Sequence, residues 1–124
     1  IRVYGESLEE IFASAATGMF DIIFDELPQE KQLIEEVVVT ADDLEELFVN
    51  WLSELNFLFT TEDKYFTDFT FHELSENKIR VTMRGDHFDL TKHDIHTEIK
   101  AVTFHSIYVR KAEGQWQAQV IFDI

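Results

Sequence analysis

A stretch near the start of the chain recurs 36 positions later. Val3-Tyr4-Gly5-Glu6-Ser7-Leu8-Glu9-Glu10-Ile11-Phe12 aligns with Val39-Thr40-Ala41-Asp42-Asp43-Leu44-Glu45-Glu46-Leu47-Phe48, and Val, Leu, both Glu and Phe are identical. The likeness continues as a pattern. Leu8, Ile11, Phe12, Ala15, Met19, Ile22 and Ile23 fall on one helical face, and the same spacing selects Leu44, Leu47, Phe48, Trp51, Leu55, Leu58 and Phe59. A repeat of this kind means two copies of one supersecondary unit that bury their apolar stripes together.

Each copy opens with the same signals. Ser7 with Glu10, and Asp43 with Glu46, read as capping boxes, because the side chains can satisfy backbone N–H groups left free in a first helical turn. A β-favouring stretch precedes each helix, Ile1–Tyr4 and Leu33–Thr40, so the first half reads strand–helix–strand–helix, with Leu27-Pro28-Gln29 turning the chain out of the first helix. After Asp63 the period shortens to two. Phe69 and Phe71 alternate with polar residues, Ser75-Glu76-Asn77 supplies a turn, and Ile79, Val81 and Met83 alternate with Lys78, Arg80, Thr82 and Arg84. Gly85 to Thr97 reads as a polar loop. Glu98 to Arg110 reads as a long strand whose apolar phase shifts between Phe104 and Ile107, which a bulge near His105 or burial of both faces would explain. Ala112-Glu113-Gly114 turns the chain into a last strand that holds Trp116, Ala118, Val120 and Phe122 on one side. The expectation is an α+β, two-layer domain over 1–124, with two amphipathic helices on a largely antiparallel mixed sheet.

Charge narrows the functions open to such a domain. Against 25 Asp and Glu stand 10 Lys and Arg, a formal charge of −15. Nucleic-acid affinity comes largely from neutralising phosphates, so this surface excludes direct high-affinity RNA or DNA binding over most of its area. A role in RNA metabolism would run through a protein partner or at a small local site. Cysteine is absent, which excludes a thiolate nucleophile, a thiolate metal site and a disulfide framework. No apolar run is long enough for a membrane span, so a cytoplasmic protein with no membrane partner is expected. The chain starts at Ile1 without Met, inside an apparent strand, and the expectation is that the natural protein extends upstream.

Three places carry chemistry-bearing side chains. The loop 86–96 holds His87, His93 and His96 with Asp86, Asp89 and Asp94, a set that could bind zinc in a metal-dependent hydrolase. The spacing matches no zinc pattern, and a solvated His- and Asp-rich loop is the plainer reading. Asp123, on the opposite strand face from Trp116 and Phe122, is a hard oxygen donor for a cation such as Ca²⁺, but one carboxylate does not make a site among 25 acids. Lys100 lies in an otherwise apolar stretch with Val102 and Phe104, where a snorkelling edge-strand lysine is the simpler account. No phosphate-binding Gly-rich loop, G-x-S-x-G or H-E-x-x-H is present.

The wording of two segments adds what spacing cannot. Thr97-Glu98-Ile99-Lys100-Ala101-Val102-Thr103-Phe104-His105 resembles the archease signature, and Ala118-Gln119-Val120-Ile121-Phe122-Asp123-Ile124 is similar to that family's C-terminal finish. Phe88-Asp89 with His93 and the opening Val3–Glu10 resemble family segments in the same order. The resemblance implies a non-enzymatic accessory protein. Its partner would be the GTP-dependent, RtcB-type RNA ligase of tRNA splicing and RNA repair, whose guanylylation and multiple turnover it would promote. It further implies a divalent-metal site with Asp123 and Ile124 as ligands, for Ca²⁺ or else Mn²⁺ or Zn²⁺, and Lys100 as a residue needed for activation. The family's His-Thr-Ala-Asp motif, which would supply another ligand just before Ile1, is not in this chain, so the implied site is weak or empty here. A general chaperone of RNA-modifying enzymes is the other role the resemblance leaves open.

Overall fold

The computed structural model describes residues 1–26, 31–89, 91 and 93–124. Its elements run β1 (Arg2–Gly5), α1 (Leu8–Ile23), β2 (Leu33–Thr40), α2 (Leu44–Glu62), β3 (Lys64–Leu74), β4 (Lys78–His87), β5 (Ala101–Ala112) and β6 (Gln115–Asp123). The turn expected at Leu27-Pro28-Gln29 lies outside the described residues.

The α+β class holds, and the strands divide into two three-stranded antiparallel sheets, β1-β6-β5 and β2-β4-β3. The duplication explains the division. β1 pairs with the second strand of the β5–β6 hairpin, and β2 pairs with the second strand of the β3–β4 hairpin. Each sheet is thus one repeat strand plus one hairpin, and the whole second unit, β2 to β4, is inserted between α1 and β5 of the first.

The two helices meet where the repeats do. Phe12 and Phe48, equivalent positions of the two copies, pack edge to face at 5.0 Å, a contact of about 0.5–1.5 kcal/mol beyond burial. The indole N–H of Trp51 donates to the Phe12 carbonyl at 3.0 Å, so the largest core side chain buries no unpaired polar atom. Leu52 and Val49 are buried as well, outside the single stripe expected for this helix, because α2 packs against strands of both sheets.

Both caps form, with one change of partner. Ser7 accepts from the Glu10 N–H at 3.2 Å and Asp43 from that of Glu46 at 2.8 Å, each worth about 1 kcal/mol. The Glu10 carboxylate, however, takes the Glu6 N–H at 2.5 Å, one residue before the cap.

Tight backbone geometry marks the ends of two hairpins. β4 runs to His87, past the expected loop start at Gly85, and a Cβ on Gly85 would sit 1.8 Å from the Tyr65 carbonyl oxygen. That crowding coincides with the bulge of β3 between Phe66 and Asp68. The last hairpin turns through Glu113 (φ 54°) and Gly114 (φ 77°), the paired left-handed residues a tight hairpin needs.

Candidate functional site

The segment leading into β5 is held by hydrogen bonds from three elements. Ile95 bridges to Phe24 just past α1, and the N–H groups of His96 and Thr97 both donate to the Ile23 carbonyl, at 2.7 and 3.3 Å. Ile99 is buried, and its carbonyl accepts from Asn56 Nδ2 at 2.9 Å. Lys100 then donates its N–H to the Asp123 carbonyl at 2.7 Å, one residue out of step with the ladder, which begins at Ala101↔Asp123. This offset is why β5 starts at Ala101 and not at Glu98 as the residue pattern suggested. The end of α1, Asn56 within α2 and β6 thereby fix a stretch with no regular structure of its own.

The sequence-derived residues Lys100, Asp123 and Ile124 meet here. All three are exposed, Ile124 by 64%. The main chains of Lys100 and Asp123 touch, whereas among the described residues neither side chain enters an ion pair. The result is an acid and a base exposed at one strand end. Past them, the expected bulge is present and large: register jumps from Thr103↔Ile121 to Tyr108↔Gln119, and Ser106 takes a φ of 54°. Gln119 Nε2 caps the Ser106 carbonyl at 2.8 Å, and Phe104 is left 56% exposed.

Sequence reasoning missed Asn56. It is the one buried polar side chain among the described residues, and it pins the signature at Ile99. A signal was available: Asn56 lies four residues after Leu52 and three before Phe59, on the apolar face of α2.

The loop 86–96 does not gather its imidazoles. His87 Nδ1 lies 4.0 Å from Asp86, and His96 Nδ1 lies 2.9 Å from Asp25. His93 Nδ1 accepts from the Asp89 N–H at 3.1 Å while the ring packs on Phe24, Tyr65 and Phe88. Among the described residues no three His, Asp or Glu side chains are placed to share a metal ion. The convergence of His87, His93 and His96 that a loop-based hydrolase would need is therefore contradicted. No helix among those residues is long and apolar enough to cross a membrane.

Fold and site together define a duplicated α+β domain that presents a tethered, exposed Lys–Asp strand end. A family model described as "Archease protein family (MTH1598/TM1083)" matches residues 1–124, and the chain belongs to the archease family. It is 39% identical to the archease of Methanosarcina mazei, over 98% of this chain and 86% of that one. It is 38% identical to that of Pyrococcus abyssi, over 100% and 90%. Among solved structures, it is similar to Methanobacterium thermoautotrophicum protein 1598 (TM-score 0.78, 31% identity, 99% of this chain and 89% of that one). A Thermotoga maritima archease, described as a possible chaperone, shares the fold at a TM-score of 0.68 and 20% identity, over 100% and 88%.

Proposed function

We propose that this protein is a non-enzymatic activator of a GTP-dependent, RtcB-type RNA ligase, raising its guanylylation and allowing many ligations per enzyme. Membership of the archease family supports the reading, and the observation that carries it is the junction of Lys100 and Asp123 at one exposed strand end. An acidic protein suits this role, because it avoids the RNA backbone yet can approach the basic cleft of an enzyme that binds RNA. The Lys100 ammonium, in no ion pair among the described residues, is available to an anionic group on that enzyme.

The same reading includes a divalent cation, Ca²⁺ or else Mn²⁺ or Zn²⁺, held by the Asp123 carboxylate and an oxygen of Ile124. These are hard donors and fit such an ion, but Ca²⁺ takes about six to eight oxygens, so they are part of a donor set. Ile1 and Val120 exchange both backbone bonds, at 2.6 and 3.0 Å. Residues added ahead of Ile1 that continued this ladder would pass beside Ile121, Phe122 and Asp123, where the family's His-Thr-Ala-Asp motif could complete the set.

The test is ligation by trace ligase over excess RNA with GTP and Mn²⁺, with and without this protein. Many ligations per enzyme in its presence support the activator reading. Stable binding to ligase and to unrelated RNA-modifying enzymes, with turnover unchanged, would assign the general chaperone role instead.

A further inference from the structure

Sheets end in strands whose outer backbone groups are unpaired, and proteins blunt such edges by making them short, bulged or charged. Three of the four edges here are blunted. β1 has four residues, β3 carries register shifts at Phe66/Asp68 and Phe71/Glu73, and β5 carries the shift at Thr103/Tyr108. β2 is different. Its eight residues pair with β4 in unbroken register from Leu33↔Gly85 to Thr40↔Lys78. Among the described residues, its backbone bonds to nothing outside that ladder until the Thr40 carbonyl, which accepts from Asn50 Nδ2 at 3.1 Å. Its outer face shows Ile34 and Val38, 56% and 54% exposed. Beside the edge lies an open groove floored by α2, lined by Val38, Thr40, Asn50, Ser53, Glu54 and Phe57, with Phe57 54% exposed.

We propose that the β2 edge is a docking site for an extended, basic segment of a partner protein, which adds a fourth strand antiparallel or parallel to β2. Main-chain bonds to the open edge give affinity without sequence demands, and alternate side chains read the two faces. One face of the added strand lies beside Ile34 and Val38 and takes apolar side chains. The other lies over α2, where lysine stems cover Phe57 and their ammonium groups meet Glu54. Charge selects this occupant over a second copy: Lys64 and Arg80 already neutralise Glu35 and Glu36, but Glu54 enters no ion pair among the described residues, and a chain of net charge −15 opposes its own image across this edge. This site is independent of the Lys100–Asp123 end and of the ligase reading.

The test uses a capped ten-residue peptide of alternating Val and Lys, titrated into the ¹⁵N-labelled protein. The expected result is saturable one-to-one binding, with shifts and slowed hydrogen exchange at β2 amides. Val38→Lys, an exposed substitution that leaves the fold intact by circular dichroism, should weaken binding about tenfold. N-methylating alternate peptide amides should abolish it, and a peptide with Glu for Lys should not bind. Equal binding of the Glu peptide, or binding untouched by Val38→Lys and by N-methylation, would overturn the proposal. So would a peptide-free dimer, by sedimentation, that Val38→Lys dissociates, since that would give the edge to a second copy.

Discussion

Lys100 and Asp123 are joined through their main chains, the Lys100 N–H on the Asp123 carbonyl at 2.7 Å, while both side chains remain in solvent. The fold and the proposed function can therefore be separated at this strand end. Lys100→Ala and Asp123→Ala keep the backbone bond and should each alter stability by no more than about 0.5 kcal/mol. Each should nonetheless abolish most of the gain in ligase turnover. Urea unfolding beside the ligation assay checks both halves; a loss of activity that tracks a loss of stability would contradict the assignment.

Asn56→Leu should behave in the opposite way. It removes the donor to the buried Ile99 carbonyl, leaving that oxygen unpaired, at a cost of about 1–3 kcal/mol. Because Ile99 adjoins Lys100, activation should weaken too. Hydrogen exchange at the Lys100 amide should speed up more than at amides of β4, whereas uniform acceleration would mean that Asn56 serves only global stability.

Lys100 and Asn56 show what the sequence could and could not reveal. The repeat, both helix starts and the bulge near His105 were legible, because each depends on residues close together in the chain. The division into two sheets was not, since β1 with β6 and β2 with β4 are pairings set by distant partners. Lys100 and Asp123 became candidates through the family wording alone; their alternation patterns marked them only as ordinary strand residues. The three loop histidines shared a segment but not a direction, because Asp25, Asp86 and Asp89 each engage a different ring or its neighbour.

Gly85→Ala should be among the most damaging single changes. Its Cβ would meet the Tyr65 carbonyl oxygen at 1.8 Å, a backbone atom that cannot turn aside. A loss of about 3 kcal/mol or more is expected, measurable as a lower urea midpoint. A loss under about 1 kcal/mol would show that the β3 bulge yields easily.

Lys64 ties β3 to β2 by bonding Glu35, and it also bonds Glu62 at 2.9 Å. The Glu35 bond, then the Glu62 bond, raises its pKa above the ordinary lysine value. A raised base stabilises the fold fully below its unfolded pKa, about 10.4, and the contribution is lost as pH climbs through the higher folded value. Melting temperature should therefore fall more steeply in the wild type than in Lys64→Met above about pH 10.4. Parallel curves for the two proteins would show that the pair contributes nothing to the fold.

The proposed activation of a ligase stands or falls on the rate at which that enzyme acquires GMP from labelled GTP, with the ligase limiting and this protein in excess. Guanylylation should be faster with the wild type and should return towards the ligase-alone rate with Asp123→Ala, although that variant melts normally. A cognate ligase charged at the same rate with and without the wild-type protein would contradict the activator role.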